Sequence, residues 1–298
     1  MLTEIAHQFP QPAAGQLSAT SFLWLEVTGK CTLECIHCYA ASGPWGTHGG
    51  LSTSQWQDVI TDAAECGVRK VQFIGGEPAL RPDLASLIAH ATACGLDVEV
   101  FTNLVSIPDR LWECFTANRV AIATSYYSPD PEQHKMITGR ATLARTRDNI
   151  ARALRLGLEL RVGLIGVLDG QQASQARTDL IRLGVEPTRI GYDRLRQVGR
   201  GIREPGQGNT PAQLCGQCAR GVAAVSSDGD VWPCVFARWR PLGSVLAEGM
   251  AAILGEPLAA ARQELHGAGH NAHDGPTGCR PHDSPPDTCG PDIKCRPK

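Results

Sequence analysis

Cys31, Cys35 and Cys38 lie in one short run, Lys30-Cys-Thr-Leu-Glu-Cys-Ile-His-Cys-Tyr39. Three thiolates in one loop can hold three corners of a cubane [4Fe–4S] cluster and leave one iron open for chemistry. Soft thiolates suit iron–sulfur clusters or zinc. Structural zinc sites usually pair Cys-x2-Cys knuckles and close with a fourth ligand. Here the spacing is x3 and then x2, with no fourth ligand adjacent.

The loop follows Ser21–Thr28, a hydrophobic run bounded by Gly29 that reads as a buried parallel strand. In α/β barrels the C-terminal ends of the strands are where loops converge on the active site. Further strands are expected at Lys70–Ile74, Asp97–Thr102, Val120–Ser125, Glu159–Val167 and Arg189–Leu195, with the first covering Phe22–Thr28. Helical segments lie near Thr53–Cys66, Arg81–Cys94, Pro108–Cys114, Thr142–Leu156 and Gln171–Leu183. Cys66-Gly67, Cys94-Gly95, Leu156-Gly157 and Leu183-Gly184 each end such a segment just before a strand, the expected place for a left-handed helix cap. Alternation of strand and helix predicts parallel pairing through right-handed crossovers. Six strands are too few for a full eightfold barrel. The second strand runs into Gly75-Gly76-Glu77-Pro78, where two glycines let the backbone approach a ligand closely.

The chain has 298 residues and 12 cysteines. No export signal precedes them, so metal binding is favoured over disulfides. Cys66, Cys94 and Cys114 sit on amphipathic segments and read as small buried hydrophobes. Cys215, Cys218, Cys234, Cys279, Cys289 and Cys295 form a separate C-terminal group. Between Cys218 and Cys234, the runs Val222–Ser227 and Val231–Cys234 flank Asp228-Gly229, a strong hairpin turn that would set both thiols at its base. The stretch Val245–Leu265 is amphipathic, and the Gly/Pro-rich tail beyond it lacks any regular pattern. Three segments follow: an N-terminal extension (1–20), a barrel (21–205) and a cysteine module (206–298).

The cysteine spacing, with His37 before the last cysteine, resembles the signature of the radical S-adenosylmethionine (SAM) enzymes. The resemblance implies an open (βα)6 barrel with a SAM-binding [4Fe–4S] cluster on Cys31, Cys35 and Cys38. It further implies that Gly75, Gly76 and Glu77 receive the SAM amino group, and that His37, Asn103 and Ser125 face the cofactor. Gly163-Leu-Ile-Gly166 is similar to the stretch that contacts adenine. Arg196, with Arg194 beside it, corresponds to an arginine that approaches the cofactor carboxylate or the substrate. The roles of Asp193 and Arg140 stay open. The C-terminal group resembles the SPASM and Twitch modules, which hold auxiliary clusters. A complete SPASM pair uses more cysteines than the six present. Either the natural chain continues, or another ligand such as His282 contributes, or one of the clusters is incomplete, giving one or two auxiliary clusters.

Relatives with this organisation most often modify ribosomally made precursor peptides, forming carbon–carbon or thioether crosslinks. The alternatives are a Twitch-type oxidoreductase of a small molecule and a non-catalytic iron–sulfur carrier. An external electron donor of the flavodoxin or ferredoxin type is implied. The short segment before the first strand suggests that leader capture falls to a separate protein, to the barrel rim, or to nothing at all. A net charge of −2 does not suggest nucleic-acid binding. No run approaches the about 20 apolar residues that span a bilayer. The expected location is cytoplasmic.

Overall fold

A computed structural model describes residues 20–206 and 208–267. The barrel elements run β1 (Phe22–Thr28), α1 (Thr53–Glu65), β2 (Lys70–Gly75), α2 (Leu84–Ala93), β3 (Asp97–Phe101) and α3 (Asp109–Ala117). They continue with β4 (Ala121–Tyr126), α4 (Pro131–Thr138), α5 (Leu143–Arg155), β5 (Leu160–Gly166), α6 (Ala173–Arg182) and β6 (Ile190–Arg194). The chain then forms β7 (Val222–Val225), β8 (Asp230–Trp232), β9 (Gly243–Ser244), α7 (Met250–Leu254) and α8 (Glu256–Gly267). Gly67, Gly95, Gly157 and Gly184 all have positive φ at the helix-to-strand junctions, as their positions predict.

Strands β1 to β6 pair in parallel, each with its neighbour in sequence. Sequence pattern alone leaves the hairpin β7–β8 in a module of its own, but the structure joins it to the barrel sheet. β7 pairs in parallel with β1, and the described residues make one sheet in the order β6-β5-β4-β3-β2-β1-β7-β8-β9. The physical reason lies in β1, which is buried along its whole length. A fully buried edge strand must find partners for its free amides and carbonyls, and β7 supplies them.

Alternation along the strands separates two faces. Leu23, Leu25, Val27, Val71, Phe73, Val98 and Val100 pack against the helices. Phe22, Trp24 and Ile74 face the other way and meet Val222, Ala224, Val235 and Ala237 from the C-terminal part. Deeper on that inner face, Arg161 donates from Nε and Nη2 to the two oxygens of buried Glu99 at 2.8 Å each, and Gln72 donates to the same carboxylate. Burial alone would raise the Glu99 pKa, but Arg161 overrides it and holds the group below the ordinary carboxylate range. Towards the C-terminal strand ends, β4, β5 and β6 pair Ser125 with Gly163 and Gly163 with Gly191. A Cβ at Gly191 would meet nothing within 4 Å, so the space in front of this exposed glycine is free.

Helix α4 is missing from the sequence-based reading, although its signals are plain. Asp130 caps it by accepting from the Gln133 amide, Pro131 opens it, and Gly139 ends it with φ +75°. The amphipathic stretch after residue 245 forms two helices that break at Gly255, the first starting only at Met250.

Buried Arg81 ties the end of β1 to the loop that follows it. Its guanidinium reaches the carbonyls of Val27 (2.8 Å), His48 (3.1 Å) and Leu51 (3.2 Å) and pairs with Asp83 at 2.7 Å. Arg81→Ala should lower unfolding free energy by about 3 kcal/mol, because it leaves several buried acceptors and a carboxylate unmatched. Urea unfolding measures this, and Arg81→Lys should recover only part of the loss because an ammonium lacks the planar fork.

Candidate cluster and cofactor site

The turn after β2 is zipped onto the chain leaving β1. The Gly76 amide donates to the Thr28 carbonyl at 2.6 Å, and the Glu77 amide donates to the Lys30 carbonyl at 2.8 Å. Gly75 has φ +137°, and a Cβ there would lie 2.2 Å from the Thr28 oxygen. A Cβ on Gly76 would lie 2.2 Å from the Lys30 oxygen. Both glycines are therefore required by the close approach of two backbones.

Glu77 is buried and joins this turn to the end of β3. One carboxylate oxygen accepts from the Ala79 amide (3.0 Å) and the Thr102 hydroxyl (2.7 Å), the other from the Asn103 amide (2.7 Å). Burial pushes its pKa up to about 6, and these three bonds hold it from rising further. The Asn103 side chain accepts from the Val105 amide at 2.9 Å. Its amide nitrogen donates to the Thr32 hydroxyl (3.2 Å) and lies 3.6 Å from the Cys31 sulfur. The structure thus brings Gly75, Gly76, Glu77, Asn103 and Cys31 into one assembly.

Backbone contacts fix the cysteine loop from several sides. The Cys31 amide donates to Gly43, and the Glu34 and Ile36 amides donate to Thr138 and Ile137 at the end of α4. Arg200 was not singled out in the sequence, yet it contributes three contacts. Its amide donates to the Cys38 carbonyl (3.0 Å), its Nε to the Cys35 carbonyl (2.9 Å) and its Nη2 to the Ser42 carbonyl (2.6 Å). Gly199 before it has φ +57°, and a Cβ there would lie 2.3 Å from the Tyr39 carbonyl. The Gly-Arg-Gly run at 199–201 was the available signal. Arg140 pairs with Glu34 of the loop.

The donor set fits an iron–sulfur cluster. The pKa values of Cys31 and Cys35 are pushed up to about 12, chiefly by burial, so a metal bound here would have to displace their protons. The Leu33 amide donates to the Cys31 sulfur at 3.4 Å, and with Asn103 it provides the hydrogen bonding that stabilises a buried thiolate. Among the described residues no three potential ligands are drawn together around a single ion. A cubane asks for a wider set, because each thiolate binds a different iron.

His37 is held neutral at a pKa of about 4, by burial first and then by the nearby charges of Arg203 and Arg200. Its Nδ1 is buried and has no hydrogen-bond partner, and its ring meets Tyr127 edge-on at 5.1 Å. Buried Tyr127, also missed from sequence, shares a hydrogen bond with Ser125, which places Ser125 beside the cysteine loop. Arg196 is committed elsewhere. It donates to the Gln213 carbonyl (2.6 Å), pairs with Asp193 (3.1 Å) and lies over the Phe236 ring. Arg194 reaches the Ala212 carbonyl from an exposed position. Cys66, Cys94 and Cys114 pack against the helix-side core, away from the loop.

Cys215, Cys218 and Cys234 are buried together. The sulfurs of Cys218 and Cys234 are 2.7 Å apart, and Cys215 hydrogen-bonds Cys218. Gly229 turns the hairpin with φ +95° and so sets Cys234 against Cys218. Cys279, His282, Cys289 and Cys295 lie outside the described residues, as does residue 1–19 of the N-terminal extension.

Residues 25–180 match the family described as the Radical SAM superfamily. The chain belongs to it. The GTP 3′,8-cyclase of Aeromonas hydrophila is 31% identical over 60% of this chain and 54% of its own length. The PqqA peptide cyclase of Bradyrhizobium diazoefficiens is 29% identical over 57% of this chain and 44% of its own. The chain thus spans about half the length of the curated relatives it matches. Among solved structures, SuiB of Streptococcus suis bound to S-adenosylmethionine superposes with a TM-score of 0.67 at 13% identity, covering 82% of this chain and 68% of SuiB. That likeness is one of fold. Among the described residues no helix is long and apolar enough to cross a membrane.

Gly76→Ala should be destabilised by about 1–3 kcal/mol, since its new methyl meets the Lys30 backbone and no flexible side chain. Iron retained after anaerobic reconstitution should fall with it, because the same contact positions the cysteine loop. Iron analysis alongside denaturant unfolding checks both effects.

Proposed function

We propose that this protein is a radical SAM peptide maturase that takes a hydrogen atom from a ribosomally made precursor peptide and forms a side-chain crosslink. The observation that carries the reading is the convergence of Cys31, Asn103 and Glu77 at the C-terminal strand ends, in a sheet whose β6 presents Gly191 with free space before it. Cys31, Cys35 and Cys38 would hold the SAM-binding cluster. Gly75, Gly76, Glu77, His37, Asn103 and Ser125 would hold SAM. When bound, the cluster and SAM would together supply the radical that takes the hydrogen atom.

The protein's own residues orient and shield. Glu77 offers a buried carboxylate to the SAM ammonium. Asn103 links that carboxylate to Cys31. The Glu99–Arg161 pair fills the deep end of the inner face with matched charges. Arg196, with its guanidinium on Asp193 and its buried Nε without a partner, supports the rim of β6 and is the candidate for the cofactor carboxylate. Cys215, Cys218 and Cys234 would supply three ligands of an auxiliary cluster, and Cys279, Cys289 and Cys295 the remaining ligands of one or two such clusters. An external flavodoxin- or ferredoxin-type donor would provide electrons, and a separate protein would present the leader. We place the protein in the cytoplasm, where thiols stay reduced.

The peptide substrate is supported by the likeness to a PqqA peptide cyclase and by SuiB, whose structure has also been solved bound to the precursor peptide SuiA. The second reading, a small-molecule enzyme, is favoured by the similarity to a GTP 3′,8-cyclase. Mass spectrometry of a precursor peptide encoded beside this protein, co-expressed with it, separates them. Loss of two hydrogens per crosslink is expected with wild type and not with Cys35→Ala. An unmodified peptide, with turnover of a small molecule, would favour the second reading.

SAM affinity should depend on pH through Glu77. Its pKa is raised to about 6, so the apo fold carries a growing penalty as pH rises through that value and the carboxylate ionises without a cation. An arriving ammonium reverses the penalty. Binding should therefore tighten by about fourfold from pH 5.5 to 7.5. Calorimetric titration of reconstituted protein measures this, and Glu77→Gln should flatten the dependence.

A further inference from the structure

Glu26 is a carboxylate in the middle of a buried strand, 5% exposed, on the same face as Trp24. Isolated, it would be a severe penalty. Its partner comes from the far end of the chain. Arg238 donates to both of its oxygens. The guanidinium is stacked between Trp232, 4.5 Å from its centroid, and Tyr39, 5.5 Å away. The Tyr39 hydroxyl completes the group by hydrogen-bonding Glu26, and the Tyr39 ring meets Phe236 edge-on at 5.2 Å. Burial opposes both charges: it raises the Glu26 pKa against the pull of Arg238 and Tyr39, whereas at Arg238 the Glu26 carboxylate outweighs it and the arginine stays protonated.

The positions of these residues give the group its meaning. Tyr39 directly follows Cys38, the last cysteine of the loop. Arg238 lies one turn beyond Cys234, and the Ala237 amide closes that turn on the Cys234 carbonyl. The ion pair therefore joins the two cysteine sites through β1.

We propose that Glu26, Arg238 and Tyr39 form a latch through which the Cys215/Cys218/Cys234 region sets the position and electrostatic environment of the Cys38 corner of the cluster loop. The inference rests on the reading of Cys31, Cys35 and Cys38 as cluster ligands. All three are positioning residues. Arg238 contributes a positive charge near Cys38, and Glu26 cancels most of its field. Tyr39 converts the pair's geometry into the backbone position of Cys38.

The charge arrangement makes a signed prediction that a merely structural role does not. Glu26→Gln leaves the arginine charge uncompensated and should raise the midpoint potential of the SAM-binding cluster. Arg238→Gln should not raise it, and the double variant Glu26→Gln/Arg238→Gln should return it close to wild type. Redox titration of the reconstituted full chain reads this by electron paramagnetic resonance, following the signal that SAM addition perturbs. Tyr39→Phe keeps both charges, so it should leave the potential unchanged and slow SAM cleavage about tenfold at unchanged iron content. Equal shifts of the same sign in both charge variants, or no shift in either, would overturn the latch. If the charge variants do not accumulate folded, Tyr39→Phe decides, and wild-type cleavage in it overturns the proposal. A wild-type protein without cluster signal refutes the underlying ligand assignment instead, and the two failures are told apart by that control.

Discussion

The structure depends on one close backbone contact, the zipper between the chain leaving β1 and the turn leaving β2. Two amide–carbonyl bonds, Gly76 to Thr28 and Glu77 to Lys30, are made where any side chain would collide. Net hydrogen-bond contributions are modest, about 1 kcal/mol each. The geometric consequence is larger. With the zipper closed, Glu77 is carried inward to the amides of Ala79 and Asn103, and Asn103 is carried to Cys31. Without it, the cysteine loop loses its support from β2 and β3 together.

The interior carries charges, and apart from Glu77, which meets only amides and a hydroxyl, several of them have a fixed partner. Glu99 is matched by Arg161, Glu26 by Arg238 and Asp193 by Arg196. Such pairs add little net stability compared with apolar packing, but breaking one strands an expensive ion. They also determine which parts of the chain must be present together. Glu26 on the first strand is satisfied by a residue 212 positions later, so the barrel and the C-terminal hairpin form one cooperative body. The apolar contact of Phe22 and Trp24 with Val222, Ala224 and Ala237 joins the same two regions. That continuity links the two cysteine-bearing regions through β1.

Radical chemistry needs a site that is rigid at the cluster and open at the substrate. The loop is held by Arg200, by the end of α4 and by the zipper, whereas β6 presents Gly191 with free space before it. Rigidity and free space thus come from different strands of the same sheet, β1–β3 and β6.

Much was legible in the amino-acid sequence because it is locally encoded. The three cysteines, the Gly-Gly-Glu turn, the strand–helix rhythm and the glycine caps each depend on a few adjacent residues, and the strands fall within a residue or two of their expected ends. Helix α4 was encoded equally locally, by Asp130-Pro131 and Gly139, and went unread. Tertiary structure alone decided the rest, since those contacts join residues far apart in the chain. Nothing near β1 says that β7 will cover its edge, and nothing near Cys35 says that Arg200 will hold its carbonyl. The arginines at the end of β6 illustrate the limit. Composition marks Arg194, Arg196 and Arg200 alike, and only the fold turns one to the cysteine loop, one to Asp193 and one outward to the Ala212 carbonyl. The reason is that a local pattern fixes which face a side chain occupies, whereas its partner is fixed by what the folded chain brings to that face.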